Sequence, residues 1–270
     1  MIAVLEEEKV IAEISAKFLP RVKVENEVWK IDADGMHYKD LNRLLRAISS
    51  NGAEKIEVHN VYGQRYIGTD LDAEFQIDIY GTPGNDLGAF MNGPKIVVHG
   101  NAQDGCGNTM NEGQIVIHGS AGDITGHSMR GGKIFVRDDV GYRVGIHMKE
   151  YKSRKPQLVI GGTAQDFLGE YMAGGVILVL GLNLSEGECC TARFVGTGMH
   201  GGVIFERGSI LELGKGTKVM KVGKRDSRII ESLVKEFCEH FGAAYEKVMR
   251  VKFRKIVPVS KRPYGELYSY

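Results

Sequence analysis

From Gly63 to Gly208 the apolar residues come in short β-branched runs. Each run is announced by a Gly and, three residues later, a Met or Leu. The pairs are Gly68 with Leu71, Gly88 with Met91, Gly107 with Met110, Gly126 with Met129, Gly145 with Met148, Gly169 with Met172 and Gly196 with Met199. The first four spacings are 20, 19, 19 and 19 residues and the last two are 24 and 27, so the later units carry insertions. A period of this length in a Gly-rich, β-rich chain marks a solenoid. Five and seven residues after the Met stand aliphatic columns, Ile96, Ile115, Ile134, Ile177 and Ile204 and then Val98, Ile117, Val136 and Val179; Leu158 and Ile160 hold the two positions after the insertion Lys149 to Lys155. Residues two apart on a strand face the same way, so both columns line one interior.

Coils stacked in parallel cross over right-handedly. The pattern therefore predicts an all-β core, a right-handed parallel β-helix of seven turns. At about 4.8 Å per strand it is a spool on the order of 30 Å long. Met fills irregular space inside, and Gly sits where the backbone needs positive φ or a close approach. Before the coil, residues 1 to 20 predict a helix through Val4, Val10, Ile11, Ile14 and Phe18 that stops at Pro20, and Val22 to Ile31 predicts a strand or strand pair. Leu41, Leu44, Leu45 and Ile48 predict a helix over 38–50 with Asn51-Gly52 as its stop, and Lys55 to His59 predicts a strand. After the coil come short strands at Ile210 to Leu213 and Lys218 to Val222. A helix N-capped by Asp226 follows, with Ile229, Ile230, Leu233, Phe237 and Phe241 on one face, then an alternating stretch from Met249, and an extended arm from Ser260. The organisation is thus an α+β cap over 1–60, a coil over 61–208 and a second cap over 209–270. Both caps answer a physical need, since an open coil exposes strand edges and apolar ladder ends.

The column six residues after the Met, Val97, Val116, Phe135, Val159, Leu178 and Phe205, faces outward and is as apolar as the inner two. Strands that read this way are covered on both faces. Either the helix after Asp226 or a partner subunit must cover it, and the helix is the nearer candidate; otherwise the strip is a docking surface.

Composition alters little of this. The 270 residues are 43% hydrophobic and 26% charged, with 36 Gly and 6 Pro. The net charge of +1 conceals an asymmetry, because residues 214 to 270 carry 14 Lys/Arg against 6 Asp/Glu. No apolar run is long enough for a membrane span, and Glu6, Glu7 and Glu8 follow Met1 to Leu5 in place of a signal-peptide core, so a cytoplasmic protein is expected, with neither membrane nor nucleic acid as partner. Cys106, Cys189, Cys190 and Cys238 form no CxxC pair and predict reduced thiols without a zinc or iron-sulfur site.

Chemistry is sparse. No cysteine has an obvious base, and no dinucleotide-type glycine turn precedes a helix. Gly126-His127-Ser128-Met129 begins like an esterase elbow, but its closing Gly131 is one residue late. His99 and His118 share one offset on adjacent turns, with Arg137 on the third, a pair that lacks a third metal ligand. Asn92 and Asn111 predict an amide ladder. No catalytic, cofactor-binding or metal-binding residue is assigned; Gly68 to Gly196 and Met91 to Met199 are structural ladders.

The repeated Gly-x-x-Met, as in Gly126-His127-Ser128-Met129-Arg130-Gly131-Gly132-Lys133-Ile134 and Gly169-Glu170-Tyr171-Met172-Ala173-Gly174-Gly175-Val176-Ile177, resembles the GXGXG domain at the C-terminus of the glutamate synthase large subunit. So do Ala121-Gly122-Asp123, Ala164-Gln165-Asp166 and the entry Asn60 to Gly68, while Lys255-Ile256-Val257-Pro258-Val259 is similar to the close of the free-standing microbial form. The resemblance implies a non-catalytic structural subunit. Glutamine hydrolysis and flavin-dependent reductive synthesis of glutamate from 2-oxoglutarate then belong to glutaminase and FMN-binding synthase chains, with FMN and an iron-sulfur cluster held there. One subunit of formylmethanofuran dehydrogenase carries a similar repeat, and likeness to it implies a molybdenum or tungsten enzyme as partner instead. An autonomous hydrolase is the third reading, and a homo-oligomer is left open.

Overall fold

The computed structural model describes residues 18–185 and 188–260. Its first elements are a 3-10 turn at Leu19–Arg21 and the hairpin of β1 (Val22–Glu25) and β2 (Val28–Asp32). Asn26 and Glu27, both at positive φ, form the two-residue hairpin turn. The helix expected over residues 1 to 20 otherwise lies outside the described residues. Helix α1 (Tyr38–Ser50) follows, capped by the His37 ring, which accepts from Lys39 N, and it buries Leu41, Leu44, Leu45 and Ile48. It closes one end of the spool, in a core continuous with Trp29, Ile31 and Ile56.

From β3 (Lys55–Tyr62) the chain winds through β4 (Gln76–Thr82), β5 (Asn92–Val98), β6 (Glu112–Ile117), β7 (Lys133–Val136), β8 (Gln157–Ile160), β9 (Ala173–Val179) and β10 (Gly201–Arg207). From β2 to β10 every neighbouring pair is parallel. The seven Gly-x-x-Met units each precede one strand from β4 to β10, so about six full turns are closed between them where seven were expected. The inner columns stack in the predicted order: Ile96, Ile115, Ile134, Leu158, Ile177 and Ile204 are Cα partners strand to strand, all fully buried, and so are Met91 to Met172.

The arc before each strand shows why its glycine is fixed. Three alternate residues are left-handed there, for instance Gly105, Gly107 and Thr109, or Ile124, Gly126 and Ser128. Only the central one points its missing Cβ inward: a Cβ on Gly107 would lie 2.4 Å from Ile134 Cδ1. The flanking positions face out and tolerate side chains, such as the half-exposed Phe90 and Tyr171.

Beyond β10 come β11 (Thr217–Met220), α2 (Lys224–Phe241), α3 (Tyr245–Met249) and β12 (Phe253–Pro258). The sheet closes as β10-β12-β11 with both pairings antiparallel. Three expectations are corrected here. Residues 210–213 form no strand and stack as a further arc through the Val195–Leu213 bridge. Gly223, not Asp226, caps α2; the Asp226 carboxylate accepts from Gly223 N at 2.8 Å from the helix's first turn, a capping-box geometry. The alternation begun at Met249 starts as the end of α3, and the strand begins only at Phe253.

Candidate functional site

The outward column is covered from within the chain. Helix α2 runs back along the spool, and Ile230, Leu233, Val234 and Phe237 form one cluster with Phe135, Val159, Leu178 and Phe205. Val97 and Val116 are buried as well, at 7% and 1% exposure. In the isolated chain the strip is therefore an intramolecular interface, not an open docking surface. Polar ties hold the helix in place, with Glu236 accepting from Gln114 at 2.8 Å and from Lys133 Nζ at 2.6 Å. Gly161 leaves the gap that Phe237 needs, since a Cβ there would lie 2.7 Å from the ring. Earlier in the same column stand Glu57 and Asp78, so the column changes from acidic to apolar at Val97. Phe237→Asp places a carboxylate in this dry contact. The expected result is a chain that binds a hydrophobic dye and self-associates on size exclusion; a monomeric, dye-negative variant shows that α2 does not cover the strip.

Two positions beyond the column, the rings of His59, Tyr80, His99 and His118 stack along the spool at centroid distances of 4.5, 4.4 and 5.6 Å, and Phe241 meets His118 edge-on. His99 Nε2 sits 2.8 Å from Asp78 Oδ1. Burial raises the Asp78 carboxyl, but hydrogen bonds from His99, Gln76 and Lys55 outweigh it and hold the group below its usual range. His118 is lowered by burial and by neighbouring His99 and Arg137. Stacked face to face, the two imidazoles do not converge their nitrogens, and among the described residues no three His, Cys, Asp or Glu side chains form a metal-holding group. Asn92 and Asn111 make no amide ladder: the first donates to Asp72 at 2.8 Å and the second to the Phe90 carbonyl at 3.4 Å. Turn-to-turn carboxylate and carbonyl acceptors compete successfully for both amides.

A cleft of about 570 Å³ opens beside the end of α2, between Phe237, Phe241 and the turn Arg137 to Asp139. Its charges are spent on structure. Arg137 grips Asp138 through two hydrogen bonds, and Asp139 Oδ1 accepts from Thr163 N, Thr163 Oγ1 and Asn183 Nδ2. Ser128 takes the left-handed position held by Thr109, His147 and Tyr171 in neighbouring turns, which makes it part of the coil and not of an elbow. No disulfide links the cysteines. Burial pushes the Cys106 thiol up to about 12 and raises that of Cys190, so neither supplies a thiolate.

A family model for the GXGXG motif matches residues 39–260. The chain belongs to the GXGXG motif family. It is also 49% identical over 249 residues to the uncharacterized protein MJ1350 of Methanocaldococcus jannaschii, an alignment covering 88% of this chain and 95% of that one. In this GXGXG chain the match spans all seven central arc glycines, Gly68 to Gly196, each of them at positive φ.

One departure from the ladder was not singled out from the sequence. Glu206 is the Cα partner of Val179, in the column of Val98, Ile117, Val136 and Ile160, and is fully buried. Neither of its carboxylate oxygens has a hydrogen-bond partner. Burial lifts this carboxyl to about 7, and the nearby Cys190 thiol offsets only part of the effect. The signal was available in part, because Glu206 stands seven residues after Met199, the offset that holds Val98, Ile117, Val136 and Val179 in four earlier units.

Proposed function

We propose that the chain is a non-catalytic structural subunit of a glutamate synthase, a cytoplasmic scaffold for separate glutaminase and FMN-binding synthase chains. The family match supports this reading, joined to one observation: the polar side chains of the cleft and of the ring stack, and those facing α2, are engaged in holding the spool together. Asp139, Glu236 and Asp78 tie turns to one another or to α2, and the two fully buried thiols are protonated. FMN and an iron-sulfur cluster would reside in the partners. Cys106 lies in the coil core, Cys238 on α2 and Cys189-Cys190 side by side, an arrangement that does not fit a cluster in this chain.

Purification of the tagged chain under mild conditions tests the assignment. Glutaminase and flavin-containing synthase chains are expected to accompany it, with glutamine-dependent, 2-oxoglutarate-dependent turnover only in the assembly. A molybdenum or tungsten enzyme in their place would replace the reading with one like formylmethanofuran dehydrogenase. Within the assembly Ser128→Ala and His118→Ala are expected to keep activity within about threefold, under 1 kcal/mol. A loss beyond about tenfold in a folded variant shows a hidden site.

A further inference from the structure

Among the described residues, strand β11 ends the sheet and pairs with β12 on one side only. Val259 N donates to Gly216 O at 2.8 Å, and the register Thr217 with Pro258 through Met220 with Lys255 continues from that bonded pair. Antiparallel pairs alternate between bonded and non-bonded, so the amides of Lys218 and Met220 face β12, while those of Thr217 and Val219 point to the open side. Val219 and Met220 are 42% and 47% exposed, and Leu211 on the adjoining arc is 52% exposed. Lys215, Lys218 and Lys221 lie on or next to this strand, and Lys252 and Arg254 lie at the start of its neighbour β12, all exposed and none in an ion pair with another described residue. The exposed carboxylate nearby in sequence is Glu212.

We infer that the β11 edge receives an extended, acidic segment of a protein partner, which adds one strand to the sheet. Open amides at Thr217 and Val219 supply main-chain hydrogen bonds, the apolar flank takes alternate side chains, and the five cations select carboxylates. Charge excludes the nearer occupants. A second copy meeting this edge would bring two cation sets together, and the sequence after Ser260 carries Lys261 and Arg262 against Glu266 alone. The inference deepens the scaffold reading and rests on it in taking the occupant to be a protein.

The test is fluorescence anisotropy of the full chain with a labelled nine-residue peptide of alternating Glu and Val. The expected result is saturable binding that weakens with salt and falls at least about tenfold in two variants, Lys218→Glu with Lys221→Glu, and Val219→Pro. Proline at 219 removes an outward amide and no bond to β12, so this variant should melt with the parent. Equal binding by a control peptide with Pro at every second position, or undiminished binding to Val219→Pro, overturns strand addition. Equal competition by a short DNA duplex overturns the acidic peptide, and binding seen only after truncation at Ser260 assigns the edge to the chain's own end. Peptide binding without co-purifying synthase chains sinks the proposed function alone. Normal co-purification by Val219→Pro, at parental yield, sinks this inference alone.

Discussion

Glu206→Val is expected to stabilise the protein at pH 8 by roughly 3 kcal/mol, an unusual sign for a core substitution. The carboxyl has an ordinary value of 4.5 and is lifted to about 7 in the folded chain, first by burial. Between those two values the native state holds a proton that the unfolded chain has released. The native state is therefore favoured below about pH 4.5, and that contribution is lost as pH rises through 7. Above pH 7 the parent carries a buried carboxylate with no partner for either oxygen, the kind of group that costs most. Valine removes the titration and extends the column of Val136, Ile160 and Val179 by one turn. Denaturant midpoints at pH 5, 6, 7 and 8 should show the variant gaining on the parent as pH rises, with the gap largest at pH 8. Glu206→Gln should remove the same titration but gain less, since its amide stays unsatisfied. Parallel profiles for parent and valine variant would mean that the carboxylate is paired in solution.

Glu206 also shows where the sequence was legible and where it was not. The repeat revealed both inner columns and the need for cover over Phe135 and Phe205, because a period of 19 residues repeated in phase leaves one way to stack. Position-specific exceptions inside a column are invisible to an average over columns, and Glu206 was passed over for that reason. Boundaries set by hydrogen bonding were harder still. Asp226 has the residue type of an N-cap, yet its carboxylate reaches back to Gly223 N and binds Lys255 Nζ at 2.8 Å, contacts that depend on where β12 returns. The alternation Met249, Val251, Phe253 fits a strand locally, but Val248 is drawn into the cluster under α2 and the chain stays helical through Met249. Asn92 and Asn111 share an offset, but their partners, Asp72 and the Phe90 carbonyl, come from the turn before, which identity at one position does not reveal. The candidate site was the least legible part. The open amides of β11 follow from register, and the sequence showed only the basic charge around them.

The repeated glycine itself makes the sharpest test of the architecture. Gly107 and Gly126 are both left-handed, at φ of 69° and 74°, so replacing either with Ala costs a similar backbone strain of roughly 1 kcal/mol. Their interiors differ. The Cβ of Gly107→Ala would lie 2.4 Å from Ile134 Cδ1, whereas that of Gly126→Ala meets nothing closer than Leu158 Cδ2 at 3.7 Å, an ordinary contact. The difference traces to one branch point: most turns carry an Ile whose δ-methyl reaches the arc of the turn before, and the position facing Gly126 carries Leu. Gly107→Ala should then lose roughly 3 kcal/mol in total and Gly126→Ala about 1. Ile134→Val removes the offending methyl and by itself should cost about 1 kcal/mol. Combined with Gly107→Ala it should be neutral or stabilising, a coupling of more than about 1 kcal/mol in a double-mutant cycle read from denaturant midpoints. Additive losses, or equal losses at the two glycines, would show that backbone conformation alone selects the residue and that the δ-methyl of the facing strand plays no part.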